Sequence, residues 1–239
     1  MACFSEAMTE AGVAKPQRPI RSYVLRQGRM TGGQQRAFSE LWPVYGLTPT
    51  EVKLDLPGLF GNNHPVTLEI GFGNGEALAQ AALNHPDRNY LGVEVHGPGV
   101  GHLMLRLAAQ ESRNVRILQA DAMELLRRHL PAGALAEVLL FFPDPWPKQR
   151  HHKRRIVQPE FTRLVHRALK SGGLLHMATD WQDYARQMLA VLTVTEGMEN
   201  LAGPGNYAPR PQSRPLTRFE RRGQRLGHGV WDLLFTRSD

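Results

Sequence analysis

The stretch VTLEIGFGNGEALAQAAL, residues 66–83, decides how the rest of the chain is read. Val66–Ile70 is an apolar run of the length of a buried strand. Gly71, Gly73 and Gly75 follow as a turn, and 76–83 has helical apolar spacing that stops before Pro86. Glycines between a strand and a helix let the backbone turn tightly and approach a ligand closely. The same alternation recurs downstream. Residues 89–95, 115–120, 136–142 and 173–179 read as strands, and 230–235 as a last one. Residues 100–111, 122–130, 159–169 and 183–192 read as helices, with Pro159 opening one and Gly172–Gly173 closing it. Short apolar strands joined by helical crossovers predict an α/β fold with a mostly parallel sheet covered on both faces.

The chain has 239 residues, enough for one domain with a real core. Residues 1–35 read as a flexible basic extension, 36–239 as a single domain, and 203–229 as an insertion before the last strand. Apolar residues make up 41%, which excludes wholesale disorder. Cys3 is the sole cysteine, so a disulfide framework, a zinc ribbon or an iron–sulfur cluster is excluded. No apolar run is long enough to span a membrane, and the first residues lack a secretion pattern. A cytoplasmic protein is expected. The net charge of +7 points to a polyanionic partner. That charge is local: residues 148–170 sum to +7 and 210–225 to +5, leaving −5 on the rest.

The turn has GxGxG spacing, unlike the GxGxxG of dinucleotide sites, and Glu69 stands two positions before it. A carboxylate there repels phosphate and favours a cationic cofactor. S-adenosylmethionine carries an ammonium and a sulfonium and no phosphate. Glu94, ending the second strand, can accept ribose hydroxyls, and Asp121, ending the third, can meet the adenine edge. A methyltransferase is therefore expected, with Glu69, Gly71, Gly73, Gly75, Glu94 and Asp121 holding S-adenosylmethionine and S-adenosylhomocysteine as product.

The fourth strand runs into PDPWPK, residues 143–148, where prolines on both sides restrict Asp144. Rigid placement of a carboxylate at a strand end suits a catalytic role. QRHHKRR follows as 149–155, a basic run abutting that turn. Its paired histidines have no acidic or thiolate partners nearby, so no metal is expected.

PDPWPKQRHHKRR resembles the signature of bacterial tRNA (guanine-N7-)-methyltransferases of the TrmB type. So do TRFERRG (217–223), GHGVWDL (227–233), LEIGFGNG (68–75), GVEVHGPGVG (92–101) and HMATDW (176–181). The resemblance covers roughly residues 20–239. It implies a class I S-adenosylmethionine-dependent, Rossmann-like methyltransferase fold with an antiparallel last strand. It implies methylation of guanine N7 at tRNA position 46, in the variable loop. Carried over residue by residue, it places cofactor contacts on Glu69, Glu94, Asp121 and Asp144, and the catalytic aspartate on Asp144. Substrate contacts fall on Lys148, Asp180, Thr217, Arg218, Phe219 and Glu220. RNA contacts fall on Arg150, His151, His152, Lys153, Arg154 and Arg155. The family more commonly has lysine where Arg218 stands, and the two cations present their donors differently. tRNA is the implied partner, with no membrane, no obligate protein partner, and a monomer or weak homodimer expected. Other readings of the residues are a methyltransferase of another RNA base, a nicotinamide-dependent oxidoreductase, or a non-catalytic RNA-binding module. Cysteine-dependent pyrimidine methylation is excluded, since Cys3 lies outside every strand end.

Overall fold

The computed structural model describes residues 20–24, 28–48, 51–212, 214, 220 and 229–239. In chain order the elements begin with α1 (Gly32–Glu40), α2 (Trp42–Tyr45), β1 (Gly46–Leu47) and α3 (Leu56–Phe60). The alternating body follows as β2 (Val66–Ile70), α4 (Glu76–Asn84), β3 (Asn89–Glu94), α5 (Gly97–Ala109), β4 (Val115–Gln119) and α6 (Ala122–Glu124). It continues through β5 (Leu135–Phe141), α7 (Pro159–Ala168), β6 (Leu169–Thr179) and α8 (Gln182–Thr193), and ends in β7 (Met198–Asn200) and β8 (Trp231–Arg237).

The strands form one sheet in the order β1-β4-β3-β2-β5-β6-β8-β7. All pairs from β1 to β6 are parallel, and β8 runs antiparallel to both β6 and β7. Chain order reverses direction beside β2, which pairs with β3 on one side and β5 on the other. Open α/β sheets bind ligands at the carboxyl ends of strands flanking such a reversal.

Every residue of β2 is buried, as its unbroken apolar run requires between two covered faces. On one face Leu68, Leu91, Val138 and Leu175 meet Phe161, Val165, Tyr184 and Met188 of α7 and α8. On the other, Phe72 and Tyr90 pack with Leu78 of α4, Leu103 and Leu107 of α5, and Ala37 of α1. Each of these large apolar side chains contributes roughly 1.5–3 kcal/mol by leaving water.

Some sequence expectations shift. The helix expected at 122–130 is one α-turn followed by a π-turn at Leu125–His129. Gly172–Gly173 do not close α7: that helix gives way directly to β6 at Leu169, and the glycines sit where the β5–β6 register shifts. The edge strands β1 and β7 have two and three residues, too few to show any periodicity. Helix α1 crosses the expected boundary at residue 36 and binds α5, Gln34 Nε2 donating to the Pro98 carbonyl at 3.0 Å. Among the described residues, no helix is long and apolar enough to cross a membrane.

Candidate active site

The sheet order lines up the carboxylates. Asp121 follows β4, Glu94 ends β3, Glu69 lies in β2, Asp144 follows β5 and Asp180 follows β6, on five adjacent parallel strands. The expected cofactor and catalytic positions therefore come to one edge of the sheet.

The glycine turn is built around Glu94. Its carboxylate accepts from the Gly73 amide at 2.9 Å, and from the Val95 and His96 amides at 2.6 and 2.9 Å. Gly71 N donates to the Val93 carbonyl at 2.8 Å. Gly71 and Gly73 have φ of 72° and 61°. A Cβ on either would meet nothing within 4 Å. Open space over a left-handed glycine backbone is a cradle for a ligand. Behind the turn the reason for glycine is different. A Cβ on Gly99 of α5 would lie 2.0 Å from the Gly73 carbonyl oxygen, so that helix closes directly on the turn.

Glu69 is buried, and burial, then Glu137 and Glu94, push its carboxyl up to about 7. Among the described residues no cation holds it down, so a cation bound here would favour the ionised form. The chemistry of the donor set thus fits the sulfonium–ammonium cofactor. Asp121 caps α6, accepting from Met123 N at 2.8 Å. A cavity of about 670 Å³ runs along the sheet face from Arg88 and Lys170 to Glu69, Phe141, His176 and Arg214.

The turn after β5 carries Asp144, which is exposed. Phe142 and Trp146 bracket it with φ of 51° and 45°, a region that bulky residues rarely occupy. Such strain persists only where neighbours over-determine it. Phe142 N donates to the Ala178 carbonyl at 2.8 Å, tying the turn to β6. Arg214 lies over the Phe142 ring at 5.7 Å and Arg154 over the Trp146 ring at 3.8 Å. The register of Phe141 with Ala178 brings Asp144 and Asp180 to neighbouring strand ends.

The basic run divides. Lys148, Arg150 and Lys153 are exposed, on and beside a 3-10 turn at Gln149–Arg154. His151 meets Trp146 edge-on at 5.9 Å, and His152 lies 3.7 Å from Asp183. Arg154 binds the backbone of the N-terminal segment, donating to the Arg21 and Tyr23 carbonyls at 3.0 and 3.1 Å. Trp146 Nε1 donates to the Ser22 carbonyl at 3.0 Å in the same place. Arg155 is 2% exposed and bonded wholly inside the protein, so the expected RNA contact there meets a guanidinium with no open face.

Glu220, expected as a substrate contact, is buried in an ion-pair network. Arg214 donates to it through both terminal nitrogens at 2.6 and 2.9 Å and reaches Asp232 at 3.1 Å. His176 Nε2 completes the network, 2.8 Å from Asp232. Thr217, Arg218 and Phe219 lie outside the described residues. Sequence reasoning missed Gly99, Arg214 and the docking of Ser22. A glycine-rich helix start (Gly97, Gly99, Gly101) was the one available signal.

Residues 63–233 match a family model described as a putative methyltransferase. The chain is 54% identical to a tRNA (guanine-N(7)-)-methyltransferase of Alkalilimnicola ehrlichii, over 96% of this chain and 97% of the relative. It is 52% identical to the protein of that name from Pseudomonas aeruginosa, over 98% and 96%. The corresponding figures for Xanthomonas campestris are 55%, 95% and 87%. Among solved structures, the 16S rRNA methyltransferase KamB superposes with a TM-score of 0.60 at 20% identity, covering 82% of this chain and 99% of that one. A 16S rRNA (adenine(1408)-N(1))-methyltransferase of Catenulisporales acidiphilia, with cosubstrate SAM, gives 0.52 at 16% identity, over 78% and 93%. At such identities the likeness speaks for the fold alone: a class I methyltransferase sheet with its antiparallel last strand.

Proposed function

The chain belongs to the bacterial tRNA (guanine-N7-)-methyltransferases, and from that membership we propose how its own residues perform the transfer. The activity is methylation of guanine N7 in tRNA. The finer reading is that S-adenosylmethionine is the donor and guanine 46 of the variable loop the acceptor. When bound, the donor supplies an electrophilic methyl group on a sulfonium.

Glu69 would give that cation its counter-charge, Glu94 would take the ribose hydroxyls, and Asp121 would meet the adenine edge. The open space over Gly71 and Gly73 would help hold the donor. Guanine N7 carries a free lone pair at neutral pH, so no general base is needed. Catalysis is then positioning plus electrostatics. The purine gains positive charge as the bond forms, and Asp144 stabilises it. Asp180 accepts from the guanine N1–H and amino group, fixing N7 toward the methyl donor. Lys148, Arg150 and Lys153 hold phosphates. The protein works in the cytoplasm, as a monomer or weak homodimer, without an obligate partner.

The observation that carries this reading is the adjacency of the β5 and β6 ends that Asp144 and Asp180 follow, beside the glycine turn. Incubating the protein with unmodified tRNA and labelled S-adenosylmethionine, then digesting to nucleosides, tests it. N7-methylguanosine mapping to the variable loop is expected. Another methylated base, or no product, overturns it.

A further inference from the structure

Arg155 ends a basic run that the family resemblance assigns to RNA, yet its guanidinium is spent inside the protein. Nε donates to the Pro145 carbonyl at 2.8 Å, one terminal nitrogen to Gln187 Oε1 at 2.7 Å, and the other to Asp183 Oδ2 at 2.6 Å. The guanidinium lies over the Tyr184 ring at 4.8 Å, and the Tyr184 hydroxyl accepts from Val157 N at 3.2 Å.

Each partner has a place in the site. Pro145 directly follows Asp144, inside the turn bracketed by the left-handed Phe142 and Trp146. The Phe142 end is held by the Ala178 carbonyl. The Pro145 carbonyl gives the other half its hold, through Arg155. Asp183 stands in the first turn of α8, three residues after Asp180. One planar side chain therefore joins the turn carrying Asp144 to the helix that opens just after Asp180. Only arginine supplies three fixed donor directions from one group; lysine is a flexible point charge. Asp183 remains 58% exposed in its side chain, so losing Arg155 does not strand a buried charge.

We propose that Arg155 is a positioning residue that sets Asp144 against Asp180, and that it makes no RNA contact. The proposal rests on the roles given above to those two aspartates. It separates two neighbours in sequence by job: Lys153 faces the polyanion, while Arg155 holds the catalytic turn.

The test compares full-length Arg155→Met, Arg155→Lys, Asp183→Asn, Lys153→Gln and Asp144→Ala with the parent, using unmodified tRNA and S-adenosylmethionine. Three quantities are read: the single-turnover rate at saturating tRNA and donor, tRNA Kd against salt, and the melting temperature. A small misplacement at a reacting centre costs up to ~100-fold, so Arg155→Met should slow the saturated rate by roughly 10–100-fold. Arg155→Lys should recover part of it, and Asp183→Asn should cost less than Arg155→Met because the Pro145 bond remains. The salt slope of tRNA binding should stay at the parent value in all three and fall in Lys153→Gln. If Arg155→Met does not fold, Arg155→Lys and Asp183→Asn carry the same comparison. A lower salt slope with an unchanged saturated rate makes Arg155 an RNA contact and overturns the proposal. A lower melting temperature with an unchanged saturated rate makes it merely structural, and overturns it too. If Asp144→Ala keeps the parent rate, the catalytic reading itself fails and takes this one with it. If only the Arg155 and Asp183 variants keep the parent rate, the positioning role alone fails.

Discussion

Two turns lie side by side at the carboxyl ends of the paired strands β2 and β5, and both need left-handed backbone. The first uses glycine at Gly71, Gly73 and Gly75, with φ between 61° and 73°. The second uses Phe142 and Trp146, with φ of 51° and 45°. The difference follows from what each turn faces. Over Gly71 and Gly73 the space is open, and under the proposed function a side chain would occupy the donor's place. Around Phe142 and Trp146 the rings themselves are gripped, by Arg214 and by Arg154 with His151. A non-glycine residue in such a conformation costs of order 1–3 kcal/mol, which packing must offset. One turn leaves open space above its backbone, which the proposed function gives to the donor; the other fills its surroundings with gripped rings.

The contrast can be broken in four places. The largest effect is expected from Arg214→Met. Removing the guanidinium takes from buried Glu220 and Asp232 the cation that joins them, leaving Arg210 and His176 beside them, which costs ~3–5 kcal/mol. Denaturant unfolding measures it, and unchanged stability would remove Arg214 as the support of the Phe142 turn.

Asp144→Ala comes next. If Asp144 faces developing charge as proposed, its loss should lower the single-turnover rate about 100-fold or more. A parent-like rate at saturating tRNA and donor would empty the second turn of its catalytic meaning.

Glu69→Gln probes the first turn through pH. The folded protein holds the Glu69 carboxyl near 7, above its ordinary 4.5. The folded state therefore binds more protons than the unfolded one between those values, and the carboxyl's contribution to stability falls as pH rises through that window. Glu69→Gln should leave the melting temperature near the parent value at pH 4 and raise stability by up to ~3 kcal/mol at pH 8. Donor binding should weaken in the same variant. An equal difference at both pH values would mean that Glu69 has a cationic neighbour already.

The smallest change concerns the basic segment. Arg150→Gln with Lys153→Gln should reduce the slope of log Kd for tRNA against log salt by about 1.5. Folding stability should move by less than ~0.5 kcal/mol, since both side chains are exposed. An unchanged slope would send the RNA along another face.

Much of this was legible beforehand because the relevant physics is local. Glycine spacing announces left-handed backbone, and an apolar run of five residues announces a strand buried on both faces. Strand ends announce where carboxylates can gather, so Glu69, Glu94, Asp121 and Asp144 were named from the residues themselves, and Asp180 from the family resemblance. The strain at Phe142 and Trp146 carries no such mark, since neither residue type signals positive φ. The same holds for QRHHKRR. Its charge is visible letter by letter, but the letters do not say that Arg154 binds the Arg21 and Tyr23 carbonyls or that Arg155 points inward. Glu220 looked like a substrate contact by its motif, and its partner Arg214 sits in a proline-rich loop with no periodic signal.

The sequence by itself determined the α/β class, the two turns and the identity of the groups gathered there, because strand, helix and turn propensities act over a few residues. Only the tertiary structure decided which charges remain free for a partner. That choice depends on burial and on neighbours far apart in the chain: Arg155 is neutralised by Asp183 and Arg214 by Glu220 and Asp232, while Arg150 and Lys153 stay exposed. Desolvation penalises an unpaired charge wherever packing excludes water, so the fold assigns each cation its work.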